Sequence, residues 1–210
     1  MSKQTSPART RKNDLRDRAS RQRKQQNTLL FSAGAVILVI LAVVIYLNIR
    51  NTLPVAGEES FPTQGNSHID LDTASPVVYN STPPSSGPHY GGLANWGIYD
   101  TPIRYEQVVH NLEDGGVLIY YQCPEGCAED VAKLKELAQP YINAGQHVVM
   151  LPNDPAFTAG GAAPAHKDMG AKFALVAWTK VLKMDTLDLD RMRRFIDKYV
   201  MVDHHVAGQG

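Results

Sequence analysis

Cysteine is scarce in this sequence. Its 210 residues hold two cysteines, Cys123 and Cys127, which excludes both a multi-bridge disulfide scaffold and a four-cysteine zinc site. Nucleotide signatures are missing as well. There is no G-x-x-x-x-G-K-[ST] run and no G-x-G-x-x-G opening a helix after a strand, so P-loop and dinucleotide chemistry have no footing. No G-x-S-x-G elbow and no H-E-x-x-H helix occurs, which removes conventional serine hydrolases and zincin-type proteases. Ser85 and Ser86 near His89 do not replace the elbow, because the prolines around them allow no strand-to-helix turn to expose a nucleophile. Net charge is also lacking: 21 Lys and Arg balance 21 Asp and Glu.

That balance hides a polarity. Residues 1–28 hold nine basic residues against Asp14 and Asp17, whereas residues 51–210 hold 11 basic against 19 acidic ones. An acidic segment of that size argues against a nucleic-acid partner, and the basic tail suits anionic lipid and topogenesis. Residues 29–47, LLFSAGAVILVILAVVIYL, are 19 residues without a charge. As a helix they would be about 28 Å long, close to the roughly 30 Å of a bilayer's hydrocarbon core. The expectation is one transmembrane helix at 29–47 in contact with the lipid bilayer. The basic side stays in the cytoplasm and the rest lies outside. A cleaved signal peptide is the alternative, but the run exceeds the usual h-region of about 7–15 residues and no A-x-A site follows.

Residues 48–75, rich in Pro, Gly, Glu, Ser and Thr, read as a linker. An extracytoplasmic domain is expected over 76–203, followed by a short tail at 204–210. The stretch 77–99 carries Pro83, Pro84, Gly87, Pro88, Gly91 and Gly92, which excludes a long helix or central strand. The pattern predicts a short helix over 105–113, a buried strand over 116–121 and a helix over 128–141. A strand follows at 147–151, then one or two strands within 172–184 and an amphipathic helix over 189–202. The order implies an α/β (α+β) sandwich, a single sheet with helices, preceded by the transmembrane helix. It also fits a thioredoxin-like core.

YNSTPPSSGPHY (79–90), Gly97, Tyr99, VHNLEDGGVLIYY (109–121), ALVAW (174–178) and RRFIDKY (193–199) together resemble a bacterial family, domain of unknown function 3105. Its members are short proteins that often carry one N-terminal membrane span. The likeness covers roughly residues 65–200 and implies kinship of fold and topology without supplying a reaction. Members commonly have a second histidine where this chain has Asp114. A site built on two histidines in that motif would here pair an imidazole with a carboxylate.

Three readings of the C-P-E-G-C run stay open. An even count of cysteines in an exported domain favours a local disulfide between Cys123 and Cys127. A cysteine pair between a strand and a helix also fits thiol redox chemistry, since a helix N-terminus stabilises a thiolate, although three residues intervene rather than two. The same spacing suits copper, because soft sulfur selects Cu(I), with His89, His110 and Met150 as further candidate ligands. His147 and Met150 are three apart on a strand and point to opposite faces; His166 and Met169 share a loop. The aromatic, Pro-rich loop of His89 is expected to fold over the 110–116 turn and bring His89 and His110 together. His204 and His205, beyond the last helix, read as solvent-exposed or weakly metal-binding, and incidental to the domain. Two function classes follow: a binding or assembly domain of the cell envelope that meets envelope proteins, its cysteines a staple, or a copper-binding or thiol-redox protein using Cys123 and Cys127.

Overall fold

The computed structural model describes residues 7–205; side chains at 7–15, 17, 19–20, 22, 25–26, 29, 47 and 50–51 lie outside the described set. The expectations for residues 1–6 and 206–210 likewise fall outside it. The chain divides into two units, Met1–Leu53 and Pro54–Gly210.

The first unit is one continuous helix, α1, Pro7–Thr52. It runs through both the basic tail and the apolar stretch. Among the described residues no helix is long and apolar enough to cross a membrane, which corrects the single-pass, transmembrane reading of 29–47. Leu29 and Leu47, which complete the expected span, have side chains outside the described residues.

The second unit is a mixed α/β domain with a six-stranded sheet. Its strands are β1 (Glu58–Ser60), β4 (Gly97–Ile98), β5 (Val117–Tyr121), β6 (Val148–Pro152), β7 (Phe173–Ala177) and β8 (Lys180–Met184), in the order β1-β8-β7-β5-β6-β4. A separate parallel pair joins β2 (His68–Ile69) to β3 (His89–Tyr90). Three helices complete the unit: α2 (Tyr105–Glu113), α3 (Ala128–Asn143) and α4 (Leu189–Tyr199). β5 and β6 are parallel and connected through α3, while β7 and β8 form an antiparallel hairpin beside β5.

β5 is apolar on both faces because both faces are covered. Val117 and Ile119 pack with Leu134 and Leu137 of α3 and Phe195 and Ile196 of α4. Leu118 and Tyr120 pack instead with Val108 and Leu112 of α2. The segment expected as a linker supplies β1 and β2, and β1 pairs with β8 from Glu58 opposite Leu182 to Ser60 opposite Lys180. Lys198 of α4 stands 3.6 Å from Glu58, and the Tyr199 hydroxyl donates to the same carboxylate. Asp188 caps α4 by accepting from the Arg191 amide, as Asp at an N-cap does.

The turn after α2 depends on two glycines. Gly115 has φ 75° and lies against the 202 backbone: a Cβ there would stand 2.8 Å from Val202 N. At Gly116 a Cβ would run into the Asn111 carbonyl oxygen and stand 2.8 Å from Trp96 Cζ3. Gly116→Ala should therefore lower stability by about 1–3 kcal/mol, read as a reduced urea midpoint. An unchanged midpoint would mean that the turn has room the packing denies it.

Candidate metal centre

The irregular stretch before α2 is held by side chains rather than by a ladder. Tyr79 donates its hydroxyl to Pro88 O at 2.6 Å, and Ser86 Oγ accepts from the Gln64 amide at 3.0 Å. Asn80 bonds back to Pro62 O and Gln64 Oε1. A Cβ at Gly87 (φ 124°) would lie 3.0 Å from Tyr79 Cε1, so the loop closes around a glycine. These ties deliver His89 to the end of a two-residue strand opposite His68.

α2 supplies the other half. His110 Nδ1 donates to Tyr90 O at 2.8 Å. Asn111 clamps Ala94 from both sides, accepting its amide at 3.0 Å and donating to its carbonyl at 2.8 Å. Leu112 enters the core, and Glu113 Oε1 accepts from Asn66 at 2.6 Å. Each residue of the H-N-L-E run thus fastens a different piece of the irregular segment to the sheet.

Three imidazoles converge as a result. Ring centroids are 4.9 Å apart for His89 and His110, 5.1 Å for His68 and His110, and 5.2 Å for His68 and His89. One ring nitrogen from each lies within 4.8 Å of the others. His89 Nδ1 sits 2.8 Å from Gly87 O; a carbonyl only accepts, so Nδ1 carries the proton and Nε2 of the neutral ring is a lone pair. Burial holds His89 below the ordinary histidine value of 6.5, with His110 and His68 acting in the same direction. Its Nε2 lies 3.0 Å from Glu113 Oε2, yet the two are not aligned as a hydrogen bond and neither has another partner. Both residues are almost wholly buried, at 0% and 1% side-chain exposure.

A second donor set adjoins the first. His110, Asp114 and His205 also bring ligand atoms within 4.8 Å. The C-terminal strap is tied down by Met201 N to Gly115 O at 2.7 Å and His204 N to Glu113 O at 2.9 Å. It places His205 Nε2 3.3 Å from Asp114 Oδ1, while His204 stacks on Trp178 at 6.1 Å.

Residues 70–208 match the family described as a protein of unknown function, DUF3105. The chain belongs to this family. No curated protein and no solved structure gives a match. The DUF3105 stretch contains His89, His110, Glu113, Asp114 and His205 and starts just after His68.

The remaining candidate ligands of this DUF3105 domain lie elsewhere. Cys123 and Cys127 form a disulfide, so neither sulfur is a free thiolate. The bridge stands at the N-terminus of α3, where Cys127 is the N-cap residue, beside a cavity of about 670 Å³ lined by Gln122, Asn153, Asp154 and Asp168. Glu129 and Asp130 occupy the first turn of α3 and offset the field that would favour a thiolate. Met150 is buried among the apolar residues facing α3 and α4, while α2 packs with the opposite set. His147 donates to Asp114 O at 2.7 Å and stacks on Trp96 at 4.3 Å. His166 uses both nitrogens, toward Ile103 O at 2.7 Å and the Asp154 amide at 3.3 Å; Met169 is core. Ser85 and Ser86 are fully buried.

Sequence reasoning missed His68, and it named His205 as a weak metal ligand without joining it to His110 and Asp114. His68 falls in a Ser- and Asp-flanked segment without periodicity, and only its pairing with β3 reveals it. Gly115 and Gly116 are the signal that a close-lying strap was coming. Closing so short a loop stabilises by about 2 kcal/mol. Cys123→Ser/Cys127→Ser is expected to lose about that much in chemical denaturation and to leave the Trp178 environment, read by fluorescence, unchanged. A shifted Trp178 signal would tie the bridge to the imidazole cluster.

Proposed function

We propose that the unit starting at Pro54 is a binding domain whose ligand is a divalent first-row transition-metal ion, Zn²⁺ or Cu²⁺, held by His68, His89 and His110. One observation carries this reading: the buried Nε2 lone pair of His89 faces a carboxylate oxygen of Glu113 at 3.0 Å with no hydrogen bond between them. Two acceptors at that distance repel unless a proton or a metal cation lies beside both, and burial disfavours the protonated ring. The outer contacts support it too. Metal-bound histidines donate their second nitrogen to a carbonyl or carboxylate, and His89 and His110 donate theirs to Gly87 O and Tyr90 O. Imidazole nitrogens bind zinc at about 2.0–2.1 Å and lie about 3.4 Å apart in a tetrahedral shell, so the spacing of up to 4.8 Å needs to shrink by up to about 1.4 Å, which the exposed His68 side chain accommodates by rotation.

Imidazole and carboxylate suit Zn²⁺ and Cu²⁺ better than Cu(I), and the disulfide leaves no thiolate for Cu(I). A disulfide favours an oxidising compartment for this unit, consistent with work outside the cytoplasm. His205 and Asp114 lie close enough to His110 to complete the shell, so the strap closes over the ion.

The full chain, stripped with chelator and titrated calorimetrically with Zn²⁺ or Cu²⁺, is expected to take up one equivalent. His68→Ala and His89→Ala should each weaken binding by at least about 100-fold, while Cys123→Ser/Cys127→Ser binds as the wild type does. His68 is exposed, so its variant keeps the fold if His89→Ala does not. The lowered value of His89 leaves its lone pair free at pH 7. Acidification through that value protonates Nε2 and should release the ion. No uptake at neutral pH, or uptake unaffected by both histidine changes, overturns the reading.

A further inference from the structure

Glu113 turns its two carboxylate oxygens to different partners. Oε2 lies 3.0 Å from His89 Nε2. Oε1 accepts from Asn66 Nδ2 at 2.6 Å, a bond between residues 47 apart in the chain. A carboxylate oxygen only accepts, so the amide NH₂ of Asn66 is the group that faces it. Hydrogen bonds to a carboxylate are short and about twice as strong as those between neutral groups. His205 Nε2 stands farther from Oε1, at 4.0 Å, and closer to Asp114 Oδ1, at 3.3 Å.

The backbone delivers Asn66 to this place. Gly65 O accepts from the Gly87 amide at 3.0 Å, and Ser67 O accepts from the His89 amide at 3.1 Å. Alternate carbonyls meet alternate amides, which is the pattern of a parallel ladder. The pairing of β2 with β3 is thereby carried back beyond His68. In an extended chain residues two apart share a side. Asn66 and His68 therefore point the same way, one to the Glu113 carboxylate and the other to the rings of His89 and His110. Ser67, between them, is exposed, whereas Asn66 is half-buried.

We infer, on the reading that the histidine cluster holds an ion, that Asn66 is a positioning residue for that ion: it occupies Glu113 Oε1 so that Oε2 alone ligates. A carboxylate takes a cation through one oxygen or through both. The bond from Asn66 opposes the second mode, because Oε1 would have to leave its donor to reach the ion. It also fixes the plane of the carboxylate, and with it the direction of the Oε2 lone pair toward His89 Nε2. Outer partners that orient a ligand in this way are worth about 10–100-fold in metal affinity. One side of one short segment thus supplies both a ligand, His68, and the group that aims another.

The test is the visible spectrum of the full chain loaded with Co²⁺, whose d–d absorption weakens as its coordination number rises. Asn66→Ala releases Oε1, so the Co²⁺ bands are expected to weaken and shift from those of the wild type, and Zn²⁺ affinity to fall by about 10–100-fold. Asn66→Asp keeps the side-chain shape but turns an acceptor toward Oε1. Its bands should shift too, and it stands in if circular dichroism shows that the alanine variant does not fold. A merely structural Asn66 would lower the urea midpoint of the metal-free chain and leave the bands of the bound ion where they are. Unchanged bands in each folded variant, with the wild type still binding, overturn the inference alone. A wild-type chain that takes up neither Co²⁺ nor Zn²⁺ overturns the histidine-cluster reading and the role of Asn66 with it.

Discussion

The approach of Glu113 to His89 is the constraint around which one face of the sheet is arranged. On the other face two amphipathic helices, α3 and α4, cover the strands by ordinary apolar packing. Here a nine-residue helix and a loop of prolines, serines and glycines must cover Leu118, Tyr120 and Val176. A loop of that composition has no ladder to satisfy its backbone. The buried polar side chains supply the missing partners: Ser86 for the Gln64 amide, His89 for Gly87 O, His110 for Tyr90 O and Asn111 for Ala94. Burying these groups is tolerable because each is paired. His89 Nε2 and Glu113 Oε2 are exceptions, as are Glu106 Oε2 and the Tyr120 hydroxyl, and the first two fall where three imidazoles meet.

This explains why the regular elements were legible in the sequence and the site only in part. Residues 105–113 and the start of α3 at Ala128 follow from periodicity and a flanking glycine or strand, and the structure places α2 and α3 there. β5 reads as buried on both faces because every residue of VLIYY is apolar or aromatic. The segment 48–75 could not be read this way. β1 and β2 are three and two residues long, shorter than any periodic signal, and they exist only because β8 and β3 offer edges. His68 becomes a neighbour of His110 through that pairing alone. The apolar run at 29–47 failed in the opposite sense: composition announced a span, whereas among the described residues no helix is long and apolar enough to cross a membrane.

Sulfur chemistry was the most visible chemical signal, and the structure turns it into a mechanical part. With both sulfurs bonded to each other and two carboxylates in the first turn of α3, the local field does not favour a thiolate. The bridge instead fixes the turn between β5 and α3, where Gly126 has φ 91°. The soft-ligand argument for Cu(I) goes with it. Nitrogen and oxygen donors remain, and their coordination preferences point to harder, divalent ions.

α2 serves the site by its direction. Its last turn carries His110, the donor common to both candidate sets, and leads into Asp114 at the C-cap. Peptide dipoles add along a helix to give a partial negative charge at its end. A cation there is stabilised by that field, by about 0.3–1 kcal/mol at an exposed end and more when partly buried. A helix running the other way would disfavour it. The same nine residues therefore bind the irregular segment to the sheet with their side chains and set the charge preference of the site with their backbone.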